Sequence, residues 1–177
     1  MASTLTVDNI VGATTAANVK LPAGSTLQSV SAVKTDTQSI NGAYADVLSA
    51  TITPKYNTSK ILVQVTLNAS STNRYSGCKL YRGSTQIALG DATGSVSRVF
   101  LSIDSNQDET HSAYLMRTMS GVFVDSPSTA SSTVYKIQCG VDDGGSSVTH
   151  INKMPNNDTG NFSLRGITTI TLTEISV

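Results

Sequence analysis

A chain of 177 residues is long enough to bury a sizeable core as one domain. Its 12 basic residues balance its 12 acidic ones, which leaves no electrostatic footprint for a nucleic-acid backbone or an anionic membrane. Charged residues make up only 14% of the chain; its polarity comes from Ser, Thr, Asn and Gln, which suits short strands and turns better than helices. No window approaches the ~20 apolar residues of a membrane span.

Residues 1–24 open with a short apolar cluster, Leu5, Val7, Ile10 and Val11, continue through a weakly hydrophobic Gly-Ala-Thr-Thr-Ala-Ala-Asn run, and close around Leu21 and Pro22. There is too little apolar area here to offset the entropy of ordering the segment alone. It is expected to be an extended N-terminal arm that orders only against a partner. The first residues carry no basic segment followed by an apolar core, so no secretory signal is read and synthesis in a cytoplasm is expected.

Residues 25–177 form the expected domain. The first strands are placed at 27–35, 45–53, 60–69, 78–82 and 86–89, with Asn41-Gly42 as a turn and Arg82-Gly83-Ser84-Thr85 as a hairpin. The strand at 60–69 has the clearest pattern. Ile61, Val63, Val65, Leu67 and Ala69 alternate with Lys60, Gln64, Thr66 and Asn68, and only Leu62 is out of phase. A period of two puts those five residues on one face and makes this the central, half-buried strand. Later strands are placed at 96–103, 113–124, 133–141, 148–154 and 166–177, separated by turn-rich stretches. About ten punctuated strands without helical periodicity predict an all-β antiparallel β-sandwich or jelly roll.

The last strand changes phase, with Ile170 and Leu172 on one face and Ile167, Ile175 and Val177 on the other. Such a strand is either covered on both sides, which would make those three a subunit contact, or bulged. Cys78 and Cys139 each share alternation with apolar neighbours and read as buried free thiols, with a cross-strand disulfide as the alternative.

Residues that carry chemistry are sparse. Asp104, Asn106 and Asp108 have the spacing of the first half of a calcium loop, but Glu109 stands where such a loop needs Gly and Leu115 where it needs a bidentate Glu. His111 and His150 lack a second nearby ligand. There is no Gly-x-Ser-x-Gly elbow and no phosphate-cradling glycine loop with its lysine. The expectation is a non-enzymatic protein without metal or cofactor. Tyr44, Tyr56, Tyr75, Tyr81 and Tyr114 lie near strand ends, where rings either stack on sugars or simply pack with a wet hydroxyl.

Four segments, Met1-Ala-Ser-Thr-Leu-Thr-Val-Asp-Asn-Ile, Leu21-Pro-Ala-Gly-Ser-Thr-Leu-Gln-Ser-Val, Ile52-Thr-Pro with Asn57-Thr-Ser-Lys-Ile-Leu-Val, and Ile167-Thr-Thr-Ile-Thr-Leu-Thr-Glu-Ile, resemble small virion structural proteins of tailed phages, especially phages of aquatic bacteria. The resemblance covers the N-terminus through residue 67 and resumes at the C-terminus. It implies a jelly roll of the kind found in trimeric C1q and tumour-necrosis-factor-like heads, tied to the particle by its arm through Leu5, Val7, Ile10, Val11 and Leu21. The function it implies is a homotrimer on the virion surface, as a capsid decoration or cement protein or a short fibre head. The alternative is a tail-fibre knob that recognises host surface glycan through loops at 71–77, 104–111 and 142–147, with Asn73, Tyr75, Asp104, Asn106, Asp108, Asp142 and Asp143 facing the receptor. A free C1q-like or lectin-like module is the remaining reading.

Overall fold

The computed structural model describes residues 21–72, 76–103, 114–141, 147–156 and 163–177. Leu5, Val7, Ile10 and Val11 therefore lie outside the described residues, as do Asn73, Tyr75, Asp104, Asn106, Asp108, His111, Asp142 and Asp143. Eleven strands are described: β1 (Thr26–Lys34), β2 (Gln38–Asn41), β3 (Ala45–Ile52), β4 (Lys60–Ser71), β5 (Ser76–Arg82), β6 (Thr85–Ile87), β7 (Leu101–Ile103), β8 (Arg117–Asp125), β9 (Thr133–Val141), β10 (Val148–Ile151) and β11 (Thr168–Ile175). No α-helix occurs among the described residues.

All pairings are antiparallel, and they are nested. β1 pairs with β11, β3 with β9, β4 with β8, and β5 with β7. Pairing first with last, and so inward along the chain, is the connectivity of a jelly roll. The first sheet runs β1-β11-β4-β8, with β10 and β2 continuing beside the far end of β4; the second contains β3, β9, β5, β6 and β7. The expected sandwich is thus present.

The period-two pattern of the central strand is realised in full. Ile61, Val63, Val65, Leu67 and Ala69 are all buried, β4 is flanked by β11 and β8, and Leu62 faces outward between Thr173 and Val124. From the facing sheet come Ile52, Leu80, Tyr135 and Ile137, each at most 1% exposed. The Arg82–Thr85 pair closes a two-residue hairpin in which Gly83 has φ +58°, a conformation that strains any side chain-bearing residue.

Three expectations are corrected. Of the strand expected at 96–103 only Leu101–Ile103 pairs; Val99 packs instead over Gly77, where a Cβ would stand 2.6 Å from it. The bulge considered for the last strand lies in its partner, between Thr26 and Gln28, while β11 keeps an unbroken register against β4. The cysteines are not free thiols: Cys78 and Cys139 are bonded to each other. The register of β5 on β9 sets them directly opposite, with Cα atoms 4.2 Å apart, a relation that spacing along the chain does not reveal.

Candidate interaction surface

Two buried carboxyl groups, set on either side of Ile61 by the register of β11 and β8 on β4, fasten one end of the sandwich. Glu174 on β11 is fully buried, and its oxygens accept hydrogen bonds from the Lys55 amide at 2.7 Å, the Tyr56 amide at 3.4 Å and the Gln28 side chain at 2.5 Å. It ties the turn before β4 to the first and last strands. Asp125 accepts 2.8 Å bonds from Arg82 and a 2.6 Å bond from the Tyr135 hydroxyl. That hydroxyl is held well above the usual phenol range, chiefly by burial and then by its bond to Asp125. These groups are engaged in holding strands together.

The outer face of the first sheet is the most unusual surface. Alternation turns Val33, Thr169, Thr66 and Ser120 outward in one row, Ser31, Thr171, Gln64 and Val122 in the next, and Ser29, Thr173, Leu62 and Val124 in a third. Ile175 and Lys60 follow as a pair, and Lys60 is the one charged residue in these rows. The hydroxyls satisfy one another: Ser31 with Thr171 at 2.8 Å and Ser29 with Thr173 at 3.2 Å. Their methyl groups and three exposed valines, Val33 at 54%, Val122 at 60% and Val124 at 49%, are left for whatever lies outside.

Of the residues expected at a trimer interface, all three belong to this side of β11, but the strand separates them. Ile175 is half-buried beside Lys60, Val177 follows just past the strand end at 67% exposure, and Ile167 precedes the strand at 52%. Eight residue steps at ~3.4 Å each put Ile167 ~27 Å from Ile175. The apolar residues that do adjoin one another are Leu62, which the alternation of the central strand marks as out of phase, and Val122 and Val124, which no sequence signal above singles out. Only the period-two reading of 113–124, carried to its polar face, would have found Val122 and Val124.

Leu21, the one of the five expected anchoring residues that is described, is exposed. The chain just after it is fixed: Pro22 accepts a 2.6 Å bond from the Ser176 hydroxyl, and the Gly24 amide donates to Ser176 at 2.9 Å. The arm is therefore tethered beside the end of β11. The described residues flanking the three expected receptor loops also come together. Ser76 pairs with both Ile103 and Val141, and Thr72 bonds to Val148. Thr72, Ser76, Ile103 and Val141, described residues that border the expected loops, thus lie together at one end of the sandwich.

Tyr44 and Tyr81 sit on the outer face of the second sheet, each beneath a lysine, with Lys79 3.6 Å from the Tyr44 ring centre and Lys136 5.8 Å from that of Tyr81. His150 is buried and bonded to Ser39 at 3.1 Å. Among the described residues no group of three or more His, Cys, Asp or Glu side chains is arranged to hold a metal. No protein-family model matches the chain, and no curated protein is significantly similar to it.

Proposed function

We propose that this chain is a non-enzymatic structural protein of a phage particle surface, a homotrimer of jelly-roll domains that an N-terminal arm joins to the virion. The observation that carries self-association is the outer face of the first sheet. A charged surface needs a partner of opposite sign, whereas a neutral face of methyl groups and mutually bonded hydroxyls fits a second copy of itself without any such match. The particle assignment is supported by the resemblance of both chain ends and of the 52–67 region to tailed-phage virion proteins. The tether of residues 22–24 to Ser176 gives the arm a fixed point of departure.

Light scattering on the purified chain tests the association. A trimer has a mass of 3 × 18.5 kDa, about 55 kDa, and Val122→Lys is expected to reduce it to the monomer; a monomeric parent chain refutes the reading. Deleting residues 1–24 is expected to leave a folded trimer that no longer joins particles. The nearness of Thr72, Ser76, Ile103 and Val141, which border the three expected receptor loops, favours a second reading, a tail-tip knob that meets host glycan there. Gold-labelled antibody on virions separates the two by decorating heads in the first case and tails in the second.

A further inference from the structure

The two outer faces of the sandwich differ in chemistry. The second sheet carries an open groove of about 620 Å³ along β3 and β9, lined in part by Asp46, Leu48, Ser49, Gly83, Val134 and Lys136. That volume lies within the ~300–1,000 Å³ typical of small-molecule sites. Its polar groups form an array built by cross-strand register, in which Asp46 accepts from Lys136 at 3.0 Å and from Gln138 at 2.6 Å. The Gln138 amide and then the Lys136 ammonium hold the Asp46 carboxyl below the usual carboxylate range, so it is an ionised acceptor at neutral pH. Beside the array, Val134, 39% exposed, supplies an apolar patch. Gly83 brings bare backbone to the rim.

We propose that this groove binds a neutral saccharide of one or two rings, with Asp46, Lys136 and Ser49 bonding its hydroxyls and Val134 receiving its C–H face. Three features select that class. The charges of Asp46 and Lys136 already compensate each other, so an anion or a cation would have to displace an existing ion pair to find its counter-charge. Both groups retain hydrogen-bonding capacity: an ammonium has three N–H donors and Asp46 engages one, while a carboxylate has about four acceptor positions and two donors occupy it. Finally, a ligand that meets a polar array and an aliphatic patch side by side must present hydroxyls along its edge and C–H bonds on its face, as a pyranose does. Tyr44 and Tyr81, the rings a sugar would ordinarily stack on, are each overlain by a lysine, which leaves that role to Val134.

The site uses neither the arm nor the neutral face, so it stands whether or not the chain is a trimer. The test is an amide NMR titration of the full chain with the methyl glycosides of glucose, galactose, mannose and N-acetylglucosamine, and with lactose and cellobiose, each to ~50 mM, a ceiling that detects millimolar binding. At least one sugar is expected to shift the amides of Ser49, Val134 and Lys136, with Kd on the order of 1–10 mM. Asp46→Ala and Ser49→Trp, both at exposed positions whose substitution leaves the core intact, are each expected to weaken binding at least ~10-fold, the first by losing one charge-assisted bond and the second by filling the groove with an indole. No shift with any of these sugars overturns the proposal, as do shifts confined to other residues or affinity unchanged by both variants. A response to inorganic phosphate alone assigns the groove to anions and overturns it too. Light scattering of the same sample reports the oligomeric state separately.

Discussion

Breaking the Cys78–Cys139 bond should lower stability by an amount fixed by the chain it closes. The two residues are 61 apart in sequence. In the chain-entropy description, a loop of that length removes about 14 cal/mol/K from the unfolded ensemble, equivalent to about 4 kcal/mol at 25 °C. Both residues are fully buried at the centre of the β5–β9 ladder, so in the folded state reductant reaches the bond only through opening of the sheet. Urea unfolding of the oxidised chain is compared with that of chain reduced in denaturant and refolded under reductant, which changes no residue. With a urea slope of about 2 kcal/mol/M, the midpoint should fall by about 2 M. Thiol titration in denaturant should find no free thiol before reduction and two afterwards. Two reactive thiols in the untreated chain, or coincident urea curves, would refute the reasoning.

Glu174→Ala removes the acceptor for the Lys55 and Tyr56 amides and the Gln28 side chain, leaving buried donors unpaired. It should cost about 3 kcal/mol, read as a lower urea midpoint and as faster amide exchange at Lys55; a cost below ~1 kcal/mol would show that water replaces the carboxyl. His150 governs a second dependence. Burial, and then the charge of Lys153, push its imidazole down from the usual 6.5 to about 4. The folded state thus binds fewer protons than the unfolded chain between those values. The stability due to neutral His150 is complete above pH 6.5 and is lost as the pH falls toward 4, by up to about 3 kcal/mol. Urea midpoints measured from pH 7 to pH 4.5 should fall for the parent chain and flatten for His150→Gln, and an equal slope in both would assign the effect to other groups.

How legible this molecule is from its sequence depends on whether a feature is local or lies across the ladder. The core side of β4 follows from alternation alone, because Ile61 through Ala69 need only a period of two to declare one face. The same rule puts Ile170 and Leu172 on one face of β11, and the structure buries both fully. It could not show that Glu174 continues that inward row, since a carboxyl at a core position makes sense only once the amides of Lys55 and Tyr56 are brought to it from a distant turn. Strand β2 escaped notice for a related reason: four residues, Gln38–Asn41, hold too short a pattern, and only Ile40 among them is buried. The disulfide and the Asp46 array are both products of register, the first in β5 on β9 and the second in β3 on β9. The bulge between Asp46 and Leu48 shifts that second register by one residue, so a sequence reading that missed it would turn Asp46 and Ser49 to opposite faces.

The neutral face and the groove lie on opposite sheets, and this separation has a measurable consequence. Stacked sheets are about 10 Å apart, and residues with no shared partner across such a gap usually act independently, within ~0.5 kcal/mol. Val122 faces outward from β8 in the first sheet and Asp46 outward from β3 in the second. In a cycle of Val122→Lys, Asp46→Ala and the double variant, association and sugar affinity should therefore each respond to only one substitution. Sugar Kd should be the same in parent and Val122→Lys to within about 2-fold, the equivalent of ~0.5 kcal/mol. A larger loss of affinity in Val122→Lys, at unchanged fold, would mean that a neighbouring copy completes the groove. The two faces would then be parts of one site shared between subunits, and the single-chain groove described above would be only half of it.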